Sequence, residues 1–141
     1  MGGALGLIAC CDMAIASPDT RFGFTEVRLG LVPAVISPFV IRKIGLSAAR
    51  RYFVSGEVFD ATAAAHMGLV HQVAALDEAV EAAIDTALKA GPQAVREAKL
   101  LLRQTPLDME QAVQTIARLR TSPEGQEGLA AFLEKRKPNW Q

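Results

Sequence analysis

Aromatic residues make up only 6% of this 141-residue chain, too few for the stacked rings on which single-stranded nucleic acids are usually bound. An excess of either charge is missing too. Fifteen Lys and Arg balance fifteen Asp and Glu, so there is no basic surplus or stripe to meet a phosphate backbone. Only two cysteines are present, and they are adjacent, Cys10 and Cys11. Neighbouring residues bridge only with strain, which excludes a disulfide framework and makes a reducing, cytoplasmic setting the simpler expectation. No apolar run is long enough to span a bilayer. Leu7-Ile8-Ala9-Cys10 looks like a lipoprotein cleavage box, but no positive segment precedes it and its apolar run is short. Of the two histidines, His66 and His71 stand five residues apart across a glycine. Metal pairs on a helix need a spacing of three or four, and no Cys or carboxylate cluster joins these two, so both read as structural and no metal is expected. Ser37 and Ser55 lack the Gly-x-Ser-x-Gly elbow of a serine hydrolase.

What is there is enough for one ordinary domain with a core, since 50% of the residues are hydrophobic and 21% charged. Gly3 to Cys11 is apolar all round, the pattern of a helix buried on every side. The chain opens on Gly2-Gly3 with no strand before them, which reads as the middle of a fold. Met13–Ala16 and Arg21–Phe24 read as short strands around a Ser17-Pro18-Asp19 turn. Pro38 suits the first turn of a helix capped by Ser37 and ended by Gly45. Ser47 caps the next, with Ala48, Tyr52 and Phe53 on its apolar face and Gly56 at its end. Asp60 caps an alanine-rich helix over Ala61–Met67, Gly68 stops it, and Leu69–Val73 alternates as a strand would.

From Asp77 onward the pattern is helical only. One helix, capped by Asp77, turns Val80, Ala83, Ile84, Ala87 and Leu88 to one side and stops at Gly91-Pro92. The next puts Val95, Ala98, Leu101 and Leu102 inward. Thr105-Pro106-Leu107-Asp108 reads as the capped start of a third, carrying Met109, Val113, Ile116 and Leu119. Ser122-Pro123-Glu124 opens the last, with Leu129, Phe132 and Leu133 apolar, and Lys135-Arg136-Lys137 ends it as the helix dipole favours. The expected organisation is a compact α/β part over residues 1–73 and an all-helical part over 74–141, whose apolar faces call for cover by self-association.

Two features carry chemistry. Gly2-Gly3 opens a helix, and free N–H groups there can hold a developing oxyanion, each such donor being worth about 3 kcal/mol of barrier. Glu26 sits among Phe22, Phe24, Val27, Leu29, Leu31 and Val32. A carboxylate in apolar company is suited to proton transfer near neutral pH, because poor solvation penalises its charged form. On pattern alone the commoner roles are plainer: glycines that allow tight packing, and a surface glutamate paired with Arg28 or Arg21.

Taken in order, these residues resemble the crotonase, or enoyl-CoA hydratase/isomerase, family along the whole chain. Its Gly-Gly-x-x-Glu-Leu-x-x-x-Cys-Asp-x-x-x-Ala motif is similar to Gly2-Gly3 through Gly6, Cys11-Asp12 and Ala16. Its Phe-Gly-x-x-Glu-x-x-Leu-Gly-x-x-Pro motif is matched by Phe22-Gly23, Glu26, Leu29-Gly30 and Pro33. Gly68-Leu69-Val70 and Glu127-Gly128 through Ala131-Phe132, Glu134-Lys135-Arg136 and Pro138 match two more. The resemblance implies an α/β fold, part of a spiral of ββα turns followed by a helical trimerisation region. It implies an acyl-CoA substrate, no further cofactor, and a homotrimer or dimer of trimers. By resemblance Gly3 supplies an N–H to the thioester oxygen, with Gly2 beside it. Glu26 is one of two catalytic glutamates, and Phe132 and Lys135 approach the CoA of a neighbouring subunit.

Three departures qualify the match. Gly6 stands at the other glutamate's position. Pro33-Ala-Val-Ile-Ser-Pro38 replaces a Pro-Gly-x-Gly-Gly-Thr-Gln-Arg stretch, and this variant resembles the bacterial methylglutaconyl-CoA and isohexenylglutaconyl-CoA hydratase branch. The family's long N-terminal part has no counterpart here. The implied activity is hydration of a branched 2-enoyl-CoA. A Δ3,Δ2-enoyl-CoA isomerase and a truncated, catalytically incomplete product are the alternatives.

Overall fold

The computed structural model describes residues 1–104, 106 and 108–141. They form two compact units, Met1–Glu81 and Ala82–Gln141. The first unit begins with helix α1 (Ala4–Cys10), strand β1 (Ile15–Ala16) and strand β2 (Arg21–Gly23). The two strands are joined through a turn closed by the Thr20 N–H on the Ser17 carbonyl at 3.1 Å. A short 3-10 helix (Thr25–Leu29) follows, then helix α2 (Ser37–Ser55), strand β3 (Val58–Asp60), helix α3 (Ala61–His66) and strand β4 (Gln72–Val73). β1 pairs in parallel with β4, Ile15 opposite Gln72. β2 pairs antiparallel with β3, Phe22 opposite Phe59. Helix α4 (Leu76–Leu88) crosses from the first unit into the second.

The few aromatics are concentrated beneath β2 and β3. Phe22 stacks on Phe59 with centroids 5.7 Å apart, Tyr52 lies 4.4 Å from Phe59, and Phe24 meets Phe53 edge-on at 4.8 Å. Such pairs add about 0.5–1.5 kcal/mol each beyond the area they bury. With Leu5, Val40, Ala64 and Leu69 they form the core of this unit. Glycines break α2 where the sequence predicts. Gly45 (φ 76°, ψ 161°) interrupts it, and Gly56 (φ 60°) ends it with its N–H on the Tyr52 carbonyl. Asp60 caps α3 by accepting the Ala63 N–H at 2.8 Å.

Several sequence expectations need correction. α1 is not buried on every side: only Leu5 and Gly6 are buried, and Leu7 is 73% exposed. Its Leu5–Ile8–Ala9 side reaches the core, while the described residues offer nothing to cover the other. Ser37 does not cap α2. Ile36 holds the N-cap position, and the Ser37 hydroxyl donates to the Ala34 carbonyl at 2.9 Å, a local turn bond that competes with capping. Strand β3 is absent from the sequence reading, and β4 is shorter than the alternation of Leu69–Val73 suggests. α4 starts at Leu76, so Asp77 sits in its first turn rather than at its cap.

In the second unit, helices α5 (Pro92–Arg103), α6 (Met109–Thr121) and α7 (Pro123–Leu133) are joined by local polar bonds. Glu124 of α7 accepts the Gln93 and Ala94 N–H groups at the start of α5, both at 2.8 Å. Asp108 caps α6 and Ser122 caps α7, as the sequence predicts; Thr105 and Leu107 of the proposed α6 start lie outside the described residues. Glu97 pairs with Arg118 at 2.8 Å. Most of the apolar faces of α4–α7 stay open: Val80, Ile84, Leu88, Val95, Leu102, Met109, Val113, Ile116, Leu129, Phe132 and Leu133 are exposed, while Ala83, Leu101 and Leu119 are half-buried. Periodicity identifies a face that needs cover without identifying what covers it.

Candidate active site

The opening glycines and the one carboxylate singled out from sequence meet in the first unit. β2 delivers the chain to Phe24, which is fully buried and anchors the start of the 3-10 helix. Gly30 closes that helix in the left-handed region (φ 73°), its N–H turned back to the Val27 carbonyl at 3.2 Å, and the Leu31 N–H takes the Glu26 carbonyl at 3.1 Å. Glu26 is thus held on a short helix pinned at both ends. Gly2, also left-handed (φ 61°), ties the N-terminal end of α1 to the same strand, its N–H donating to the Gly23 carbonyl at 3.3 Å.

The result places Glu26 Oε1 3.8 Å from where a Gly2 side chain would begin. Glu26 Oε2 is buried and has no hydrogen-bond partner among the described residues. A buried, unsatisfied carboxylate oxygen is costly, and native proteins keep such groups chiefly where function uses them. The alternative of a surface glutamate paired with an arginine therefore does not describe Glu26. Space over Gly3 is open, with nothing within 4 Å of where a side chain on that residue would begin, and the Gly3 carbonyl accepts the Gly6 N–H at 3.0 Å to start α1. α1 has only seven residues, so its dipole is weak.

One turn further along α1, Gly6 is buried against Ile36. A side chain on residue 6 would place its Cβ 2.5 Å from Ile36 Cγ2 and 2.9 Å from Ile36 Cβ. Residue 6 thus contributes no acid–base group, and the space is filled by hydrocarbon. Sequence reading singled out the glycine but missed the isoleucine. The available signal was an isolated glycine inside an apolar helix, which usually has a packing reason.

The other two candidates lie in the second unit. Phe132 is 80% exposed near the end of α7. Lys135 is exposed and is the one described non-glycine residue with positive φ (55°). The Arg136 beside it is fixed by a two-point pair with Glu127, at 2.7 and 2.9 Å, and by Glu134 at 2.6 Å. That pairing holds the Glu127 carboxyl below the usual carboxylate range and raises the Arg136 guanidinium. His71 is structural, its Nδ1 accepting the Ala14 N–H at 2.9 Å next to the β1–β4 pair. No group of three or more His, Cys, Asp or Glu side chains suited to a metal occurs among the described residues.

The sequence profile of the enoyl-CoA hydratase/isomerase family matches residues 1–141. The chain belongs to that family. Among solved structures, this enoyl-CoA hydratase/isomerase family member is similar to an enoyl-CoA hydratase from Shewanella pealeana. The two are 46% identical with a TM-score of 0.93, over 99% of this chain and 55% of that one. Among curated proteins, the 2,3-dehydroadipyl-CoA hydratase of Escherichia coli is 33% identical over 99% of this chain and 58% of its own length. The mitochondrial methylglutaconyl-CoA hydratase of Mus musculus is 34% identical over 99% of this chain and 49% of its own length. The chain thus spans about half the length of the curated relatives it matches. The mixed helix-and-sheet fold agrees with the α/β class expected from sequence. Among the described residues, no helix is long and apolar enough to cross a membrane.

Proposed function

We propose that this family member acts on an enoyl-CoA thioester as a hydratase, with Glu26 as its general acid–base group. The observation that carries this reading is the Glu26 carboxylate at the glycine-opened start of α1, its Oε1 beside Gly2 and its Oε2 buried with no hydrogen-bond partner among the described residues. The Gly3 N–H donates to the thioester oxygen, where negative charge develops as water attacks C3. One such donor is worth about 3 kcal/mol of barrier. Glu26 takes a proton from the attacking water and returns one to C2. The hydroxyl ends on C3 and the proton on C2, so one water is consumed and no redox cofactor is needed.

A branched or methylglutaconyl-type acyl group is the substrate this reading favours, supported by Gly6 and by the Pro33-Ala-Val-Ile-Ser-Pro38 run. Relatives of similar identity are named for different acyl groups, dehydroadipyl and methylglutaconyl, so likeness alone does not choose between them. The exposed apolar faces of α4–α7 support a homotrimer or a dimer of trimers. In such an assembly Phe132 and Lys135 meet the CoA of a neighbouring subunit. The free, exposed thiols of Cys10 and Cys11 suit a cytoplasmic setting.

A second reading, Δ3,Δ2-enoyl-CoA isomerase, is favoured by a separate observation: α1 brings no second carboxylate, because residue 6 has no room for a side chain. One carboxylate suffices to take a proton from C2 and return it at C4, with no water consumed. Turnover of 2-enoyl- and 3-enoyl-CoA in heavy-oxygen water separates the two, since only hydration incorporates the label. Glu26→Gln should lower kcat by about 10²–10⁴-fold and leave acyl-CoA binding in place. Unchanged turnover removes Glu26 from the mechanism.

A further inference from the structure

Gly2 and Gly6 flank the start of α1, Gly2 just before the helix and Gly6 within its first turn. Both are contacted from the same downstream segment. Glu26 lies beside Gly2, and Ile36 fills the space a residue-6 side chain would take, its Cγ2 only 2.5 Å from that Cβ position. Residues 26 and 36 therefore both approach the N-terminal end of α1, the first with a carboxylate and the second with a branched hydrocarbon. Ile36 is half-buried and packs on the core of the first unit, so it is held from behind. The chain leading to it, Leu31, Val32 and Val35, is exposed hydrocarbon.

We infer that Ile36 is a specificity-determining residue: its side chain, seated on Gly6, is the apolar wall against which the acyl group lies, and its bulk sets how much branching is accepted next to the reacting carbons. This rests on the acyl-CoA reading above and extends it to the acyl group. Gly6 itself adds no side chain at that turn of α1. Shortening Ile36 opens space at one place only, where its Cγ2 and its longer arm now lie. A pocket that gains or loses about one methylene changes preference between neighbouring substrates by roughly 10–200-fold.

The test compares the unreactive thioesters butyryl-CoA and 3-methylbutyryl-CoA by titration calorimetry on the intact protein, its Ile36→Ala variant and its Ile36→Val variant. Thermal midpoints are measured alongside. Ile36→Ala is expected to move the affinity ratio towards the branched thioester by about tenfold or more, and Ile36→Val by less in the same direction. A role confined to packing lowers the midpoint and leaves the ratio alone. A ratio within about twofold of the parent in both folded variants overturns the inference while the acyl-CoA reading stands. Failure of the parent protein to bind either thioester overturns that reading and the inference with it.

Discussion

Replacing Gly6 by alanine tests whether Gly6 and Ile36 are physically interlocked. Helix propensity alone favours the change by about 1 kcal/mol, because Gly6 lies inside α1. Packing opposes it. The new Cβ would lie 2.5 Å from Ile36 Cγ2 and 2.9 Å from Ile36 Cβ. Those atoms sit at the root of a β-branched side chain, so no flexible tip can swing aside. Overpacking of this kind costs about 1–3 kcal/mol, leaving Gly6→Ala destabilising by roughly 0–2 kcal/mol. Ile36→Ala alone should cost about 2 kcal/mol, the low end of the range for truncating a core aliphatic, because Ile36 is half-buried.

If the sites were independent, the double variant would lose about 2–4 kcal/mol. The interlock predicts a smaller loss, because Ile36→Ala removes the Cγ2 that lay 2.5 Å from the added methyl and leaves only the Cβ close by, and a coupling of about 1–2 kcal/mol follows. Urea denaturation followed by far-ultraviolet circular dichroism measures all four proteins. Additivity within about 0.5 kcal/mol, or a Gly6→Ala variant more stable than the parent, refutes the reasoning.

Three further outcomes follow from other parts of the molecule. Gly56→Ala places a Cβ 2.9 Å from Val27 Cγ2 at a φ of 60°. Val27 belongs to the helix that carries Glu26, so turnover in steady-state assays should fall more than the thermal midpoint suggests. Glu124→Gln leaves one of the two N–H groups at the start of α5 facing an amide nitrogen, and should destabilise the second unit by about 1–3 kcal/mol in thermal melts. The Glu127 carboxyl is held below its ordinary value of 4.5, chiefly by its hydrogen bond to Arg136. Its contribution to stability is therefore present above about pH 4.5 and lost as pH falls through the lower folded value. The stability gap between the parent and Glu127→Gln should be constant between about pH 5 and 8 and should close below that range.

The parts of this fold that were legible in the sequence are those decided locally. Gly45, Gly56, Asp60, Asp108 and Ser122 act within a few residues of themselves, and each breaks or caps a helix as expected. Strand β3 was not legible, because three residues become a strand only by pairing with β2, far away in the chain. The 3-10 helix under Glu26 escaped for a similar reason, since its ends are fixed by the buried Phe24 and the left-handed Gly30 rather than by any periodic pattern. Family motifs singled out Glu26 and Gly3 as candidates, whereas the isolation of Glu26 Oε2 among the described residues and the contact of Ile36 with Gly6 are facts of packing alone. The helical faces of the second unit were legible as apolar and in need of cover, but a periodic pattern is silent about what covers them.

The pairing of residue 21 with residue 60, and of residue 15 with residue 72, also has a kinetic meaning. The strand leading into Glu26 has nothing to pair with until the chain has returned from Asp60, and closing loops of that length costs entropy before any contact repays it. Helices α2 and α3 can form early from their own caps and breaks, but the carboxylate reaches its place only when the distant strands dock. During refolding, acyl-CoA binding should therefore appear after most of the helical signal, and a ribosome must release the chain well past Asp60 before the site can exist.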